Sequence, residues 1–438
     1  MLLSFEVGNF RSISDPITLQ MTAVNYYKEA ADQLIDKKLP GLAGISYLRS
    51  AAIYGPNASG KTAIWRAMQT MQSIVMNSFQ QPSNVPLPHQ PFGLDPAKRL
   101  EPTRFSVTFT SGLDGVRYEY SFEYTSDAVV DERLCAFPKG HRQDWFHRYV
   151  NNGRPDLKTS SHLGVPKAVR PLLNDKTLLV SLLANYPGID GHERIRPIID
   201  WFGRDLDLYS RAPESVNDIP YSGDIIDGSR GSDFMRSYIQ RMMRQADVGI
   251  RQAEVETRPF PEEVRALFAQ FATDHDVPTD DMKAVVFHHE SAGNEMKLDL
   301  GEESDGTKQL FGISGHIARA LENGSTLFVD EVDASLHPVL VKEIIRTFLD
   351  PSCNPNGAQL VFTAHNPCLL ENGLLRRDQI WFTEKDEKGA TTLYPLSDFS
   401  PRKDERIATD YLVGRYSAIP VVPACFGCHA DQREGDAL

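Results

Sequence analysis

Cysteine is scarce in this chain. Five occur in 438 residues, at 135, 353, 368, 425 and 428, and so wide a scatter excludes a disulfide framework. Long apolar runs are also missing: none approaches the roughly 20 residues a membrane helix needs, so no membrane partner is expected. The opening residues, MLLSFEVGNFRSI, read as a strand with a polar end and lack the basic-then-apolar pattern of a leader. A cytoplasmic location is therefore expected. There is no internal repeat, no low-complexity tract and no long heptad array, so an extended coiled coil is excluded. Positive charge is in deficit, with 46 Lys+Arg against 59 Asp+Glu and a net charge of −13. That argues against a surface that coats nucleic acid generally, but not against one local basic patch.

What is present is ordinary globular composition, 41% hydrophobic and 24% charged, in a chain long enough for two or three structural units. One stretch stands out. Ala51 to Tyr54 is a short apolar run suited to a buried strand. Gly55-Pro56-Asn57-Ala58-Ser59-Gly60-Lys61-Thr62 follows, and a helical pattern begins at once. This is G-x-x-x-x-G-K-[ST] in its strand–loop–helix setting. The glycines let the backbone curl so that N–H groups converge on phosphate oxygens, and the following helix aims its positive end there. Lys61 is expected to reach the β- and γ-phosphates of a nucleotide, and the Thr62 hydroxyl to ligate Mg²⁺.

Along the rest of the chain, residues 1–21 read as two strands around the turn NFRSISDP. Residues 22–50 read as a loop insertion and 79–102 as a connector rich in Pro and Gln. RFSVTFTSGLDGVRYEYSFEYT is a hairpin about Asp114-Gly115, and DWFHRYVNNGRPDL is a second about Asn-Asn-Gly. Residues 165–275 read as helical, with Phe234, Met235, Tyr238, Ile239, Met242 and Met243 on one face. From Met282 strands return: KAVVFHHE, EMKLDLGE, STLFVDE, AQLVFTAH and DQIWFTE, with helices from Asp305 and Pro338. Strands alternating with helices imply an α/β fold with a largely parallel sheet. The expected organisation is a split P-loop core, 1–78 and 281–400. Between them, 79–280 would form a β-hairpin and helical subdomain, and 401–438 a C-terminal helix and polar tail.

The second half supplies the partners that a phosphate loop requires. STLFVDE ends in Asp330-Glu331. An acid at the end of a buried strand beside a P-loop is placed to hold Mg²⁺, and the next carboxylate to orient and deprotonate a water. Asp330 and Glu331 are assigned those roles. Ser304-Asp305-Gly306-Thr307 precedes a helix shortly before that strand, where Ser304 and Gly306 form a second candidate anion site. His365 closes the next strand in LVFTAHNP.

This order resembles the ABC-type ATPases, with LSGGQ replaced by ESDGT. The resemblance implies that Ser304 contacts the γ-phosphate of ATP held by a second copy, in a head-to-tail dimer. It makes His365 a γ-phosphate sensor and puts Asp333 to His337 at the dimer interface. NFRS, Asn9 to Ser12, resembles the first strand of SMC-like and RecF-like ATPases and makes Arg11 a nucleotide contact. Gln90 is the candidate Q-loop residue. ESDGT, DEVDASLHP, FTAHNP, DQIWF and GRYSAIP together resemble the OLD-like AAA family ATPases of the RloA and AbiL abortive-infection group. That resemblance implies ATP hydrolysis with Mg²⁺ and a co-encoded effector, often a TOPRIM-type nuclease, in defence against phage.

Rival readings fit less well. An ABC transporter ATPase carries a shorter insertion, and no Asn-Lys-x-Asp motif marks a GTPase. Only 73 residues follow His365, too few for a fused TOPRIM domain, so the effector is expected to be separate. A RecF-type repair ATPase stays open. For it, Lys139 to Arg170 is the candidate DNA or RNA contact: Lys139, Arg142, Arg148, Arg154, Lys158, Lys167 and Arg170 are interleaved with Trp145, Phe146 and Tyr149. Cys425-Phe-Gly-Cys428-His429 has the haem-attachment spacing, but a leader is lacking. One C-x-x-C is half a zinc site, and His288-His289-Glu290 is the remaining candidate set. A polar tail is the expected reading.

Overall fold

A computed structural model describes residues 1–419 apart from 29, 81, 83, 152–153, 166, 187–190, 211–220, 247–248, 260–261, 263–281 and 372. In chain order the first elements are β1 (Leu2–Gly8), β2 (Ile17–Gln20), β3 (Leu34–Ile35), β4 (Tyr47–Leu48), β5 (Ser50–Tyr54) and α1 (Lys61–Asn77). Five strands follow: β6 (Thr103–Thr110), β7 (Arg117–Tyr124), β8 (Val129–Ala136), β9 (Gln143–Asn151) and β10 (Arg154–Thr159). Then come α2 (Leu179–Ala184), α3 (His192–Asp200), β11 (Leu206–Ser210), α4 (Tyr221–Ile226), α5 (Asp233–Ala246) and β12 (Ile250–Arg258). The last part holds β13 (Met282–Ser291), β14 (Asn294–Asp299), α6 (Asp305–Asn323), β15 (Thr326–Asp330), α7 (Pro338–Leu349), β16 (Gln359–Thr363), β17 (Ile380–Lys385), β18 (Thr391–Pro395) and α8 (Ile407–Leu412).

The core sheet has six strands in the order β11-β15-β16-β5-β17-β18. All neighbours are parallel except β17 and β18. Its central strands read as unbroken apolar runs because both faces are covered. The two-residue side-chain period sorts them: Ala51, Ile53, Phe328 and Val361 join one hydrophobic cluster, while Ala52, Tyr54, Leu327, Val329, Leu360 and Phe362 join the other. The first cluster contains α1, which buries Ile64, Trp65, Met68, Met71 and Val75 at helical spacing. The Trp65 indole N–H donates to the Phe328 carbonyl at 3.0 Å. Each such buried side chain contributes about 1.5–3 kcal/mol before ordering entropy is subtracted, so the helix behind the phosphate loop is fixed along its length.

A seven-stranded antiparallel sheet, β10-β9-β8-β7-β6-β1-β2, covers the same cluster. Tyr118, Tyr120, Phe122 and Tyr124 alternate inward along β7. Both predicted hairpins are present in it, β6–β7 and β9–β10. Here the structure departs from the sequence reading. Residues 1–21 do not join the parallel sheet; β1 pairs with β6 from the inserted stretch, Phe5 opposite Val107. The span read as helical, 165–275, contains β11, which is an edge of the core sheet, and β12. The strands at 282–299 pair with β12 in a separate three-stranded sheet rather than with the core. Cys425, Cys428 and His429 lie outside the described residues.

Candidate functional site

The phosphate loop leaves β5 and turns into α1, and its back is braced by strands far away in sequence. Ser59 Oγ and Thr383 Oγ1 share a hydrogen bond at 2.6 Å, and the Thr391 hydroxyl donates to the Ser59 carbonyl at 2.8 Å. Thr391 also meets the Ser12 hydroxyl at 2.8 Å. Gly60 has φ +112°, and a Cβ there would overlap the Thr391 side chain. The position therefore requires glycine on two grounds, backbone conformation and contact. Lys61 folds back over the loop, Nζ donating to the carbonyls of Gly55 at 2.7 Å and Pro56 at 3.0 Å. An ammonium has three donors, so the geometry leaves one for an anion.

Across the loop, β15 and β16 end side by side. The Thr363 hydroxyl donates to Asp330 Oδ1 at 2.8 Å and accepts from the Glu331 N–H at 2.7 Å. Glu331 has φ +54°, a left-handed conformation that costs a non-glycine residue on the order of 1 kcal/mol or more and is held by its surroundings. Arg11, Ser12, Asn57 to Ala63, Glu331 and His365 line one open cleft of about 490 Å³. Asp330, the expected Mg²⁺ ligand, is buried and does not itself line the cleft; it lies behind Glu331, bonded to Thr363.

The electrostatics follow from that crowding. Burial draws the Lys61 pKa down to about 8, against the pull of Asp330, Glu331 and Asp333. His365 is held below its ordinary value, first by partial desolvation and then by the charge of Lys61. The shift favours the neutral imidazole, which offers one donor and one acceptor.

The remaining expected residues lie at different distances from the cleft. Arg11 lines it with φ +52° and is tied to Gln90, the Arg11 N–H donating to the Gln90 carbonyl and Nε to Oε1, both at 2.6 Å. Gln90 itself is not part of the lining. Gly55 and Pro56 line an adjoining cleft of about 410 Å³ shared with His365, Tyr411 and Leu412. Ser304 caps α6, accepting from the Thr307 N–H at 3.1 Å, and neither Ser304 nor Gly306 reaches the Lys61 cleft within the same chain. A Cβ on Gly306 would sit 3.0 Å from the Ser335 carbonyl, so that helix start packs on the turn after Glu331. Thr363, Thr383 and Thr391 were not picked out as site-building residues from sequence, since single hydroxyls in strands carry no motif, and Asp333 was expected only as part of the dimer-interface segment.

A model of the family described as "AAA domain, putative AbiEii toxin, Type IV TA system" matches residues 50–371, from the strand before the phosphate loop to just past His365. The chain belongs to this family. It is thus an AAA-type ATPase domain, and its phosphate loop sits on a largely parallel α/β core sheet. Among solved structures, the SMC head domain from Thermotoga maritima is 13% identical, with 90% of this chain and 98% of that one covered at a TM-score of 0.38. An SMC head bound to the C-terminal winged-helix domain of ScpA is 12% identical, with 91% and 99% covered at 0.44. An SMC head with an extended coiled coil, bound to the C-terminal domain of ScpA derived from Pyrococcus furiosus, is 10% identical, with 91% and 97% covered at 0.41. No curated protein matches the chain.

Two other expectations can be placed on this AAA-family chain. Within the basic stretch, Arg148 is buried and donates to the carbonyls of Thr177 at 2.5 Å and Asn174 at 2.9 Å, so it braces the sheet. Of the expected residues, Arg142, Trp145, Phe146 and Lys158 line a surface cleft of about 400 Å³, together with Arg133, Asp144 and His147. Arg142 is paired with Asp144 and His147 with Asp131. His288 and His289 bond Glu254 and Glu303 respectively, and no metal-holding group of His, Cys, Asp and Glu occurs among the described residues. Among those residues no helix is long and apolar enough to cross a membrane.

Proposed function

We propose that the chain hydrolyses ATP and uses the cycle to switch an assembly. The observation that carries this is the convergence of Lys61, Thr62, Glu331 and His365 on one cleft, with buried Asp330 next to Glu331 at the end of β15. The residues fit a nucleotide with Mg²⁺. The start of α1, a helix of 17 residues, faces the loop and suits phosphate. Thr62 and Asp330 are hard oxygen donors of the kind Mg²⁺ prefers. Bound there, the ion would neutralise charge on the phosphate oxygens. Lys61 would give its remaining N–H to the same oxygens. Glu331 would take a proton from the attacking water, and neutral His365 would donate to or accept from the γ-phosphate region.

Ser304 does not reach this cleft in its own chain, which supports a second copy completing the site. In that reading a head-to-tail dimer closes on ATP and reopens after hydrolysis. The family description and the resemblance to abortive-infection ATPases support a defence role, with a co-encoded nuclease-like effector as the controlled partner. The surface cleft lined by Arg133, Arg142, Trp145 and Lys158 favours a second reading, an ATP-gated DNA clamp of the RecF or SMC kind. Co-purification with the neighbouring gene product, with and without Mg-ATP, separates the two. A retained nuclease-like protein supports the effector reading; retained DNA without a partner supports the clamp.

A further inference from the structure

We propose that Asp333 is the positioning residue for His365. It fixes the backbone of the histidine segment from the turn that follows Glu331. The proposal rests on the hydrolysis reading above and assigns a residue to it that does not line the cleft.

The argument starts from where backbone hydrogen bonds go. β16 ends at Thr363, and the Ala364 N–H still reaches the Ile53 carbonyl at 3.1 Å. A short 3₁₀ turn then begins at Pro367, capped by Asn366, whose side chain accepts from the Cys368 N–H at 2.9 Å. His365 and Asn366 lie between the two and belong to neither. Backbone donors left over at such a junction need partners. Both N–H groups go to one atom: Asp333 Oδ2 accepts from His365 at 2.8 Å and from Asn366 at 2.7 Å. Hydrogen bonds to an ionised acceptor are roughly twice as strong as neutral ones. Asp333 is half-buried.

The turn that carries Asp333 is itself built for one shape. Glu331 at φ +54° and Ser335 at φ +59° flank it, and the Val332 N–H is held by the Thr363 carbonyl at 3.1 Å. Glu331 and His365 are thereby set relative to each other by two latches, Thr363 on one side and Asp333 on the other. The same turn is the segment expected at the subunit interface. A second copy pressing on it moves Asp333, and His365 follows.

The test uses the full-length chain and reads phosphate release and ATP-analogue binding for Asp333→Ala, Asp333→Asn, His365→Ala and the double variant Asp333→Ala/His365→Ala. Misplacing a catalytic group by about 1 Å costs up to roughly 100-fold. Asp333→Ala should therefore lower kcat about 10- to 100-fold with KM within about twofold of wild type. Asp333→Asn keeps a carbonyl acceptor and should recover most of the loss. The double variant should be no slower than His365→Ala beyond about twofold, because residues acting as one unit are not additive. A double variant that multiplies the two losses, an Asn variant as slow as Ala, or a fully active His365→Ala each overturns the proposal. Hydrogen exchange on unmutated protein decides independently of folding defects: the His365 and Asn366 amides should be protected like those of β16, and free exchange contradicts the proposal. A wild-type chain that releases no phosphate sinks the hydrolysis reading instead and leaves the exchange result to judge Asp333.

Discussion

Lys61 is held between two backbone carbonyls, and its lowered pKa makes a prediction about pH. In the unfolded chain the amine titrates near 10.5, in the folded chain near 8. Between those values the unfolded state binds a proton the folded state lacks, so the Lys61 contribution to stability rises with pH through that window. Phosphate would favour the charged form again. ATP binding at about pH 9 should therefore take up protons, seen by calorimetry in buffers of different ionisation enthalpy; no uptake would remove Lys61 from the phosphates. Thr363 offers a second test at this scale. Thr363→Val keeps the shape but strands the Glu331 N–H and one Asp330 oxygen. A loss of about 1–3 kcal/mol is expected from the unsatisfied donor, with kcat falling more than ATP affinity. Urea unfolding and steady-state kinetics on the same variant check both halves, and a variant slowed only through KM would contradict the role.

At the scale of elements, the phosphate loop depends on two strands that follow it by more than three hundred residues. Gly60→Ala places a methyl group against Thr391 in a strained backbone, and nucleotide binding should be lost while β5 and α1 stay folded, as hydrogen exchange in α1 would report. The loop at 22–48 is fixed differently. Asp378 pairs with Arg376, both almost fully buried, and accepts the Val24 N–H at 2.8 Å, while Arg376 donates to the Tyr27 carbonyl at 3.0 Å. Removing one member of such a pair strands a buried charge, so Asp378→Ala should lose about 3–5 kcal/mol, read from the urea midpoint.

The contrast between these elements shows what the sequence disclosed. β5, α1, β15, α7 and β16 were legible because apolar runs, glycine spacing and a helical period are local signals. β11 was not, since LDLYS alternates polar residues in a five-residue strand that, among the described residues, pairs only with β15. The pairing of β1 with β6 is a register about a hundred residues apart, which no local pattern encodes. Arg148 was read among surface charges because sequence does not show that three carbonyls bury it.

At the scale of the whole molecule, Lys61, Glu331 and His365 meet within one chain while Ser304 does not reach them, so the account requires two chains for a full cycle. Glu331→Gln should bind ATP, lose the proton acceptor and hold the closed dimer, giving a doubled mass by light scattering only when Mg-ATP is present. Ser304→Arg in the same background should abolish that dimer. The central claim is hydrolysis at this cleft, and steady-state phosphate release by purified wild-type and Glu331→Gln chains tests it most directly. General-base catalysis is worth about 100- to 10,000-fold. The account predicts Mg-dependent release by wild type and a loss of at least about 100-fold in Glu331→Gln with ATP binding retained. Equal rates in the two chains would contradict it.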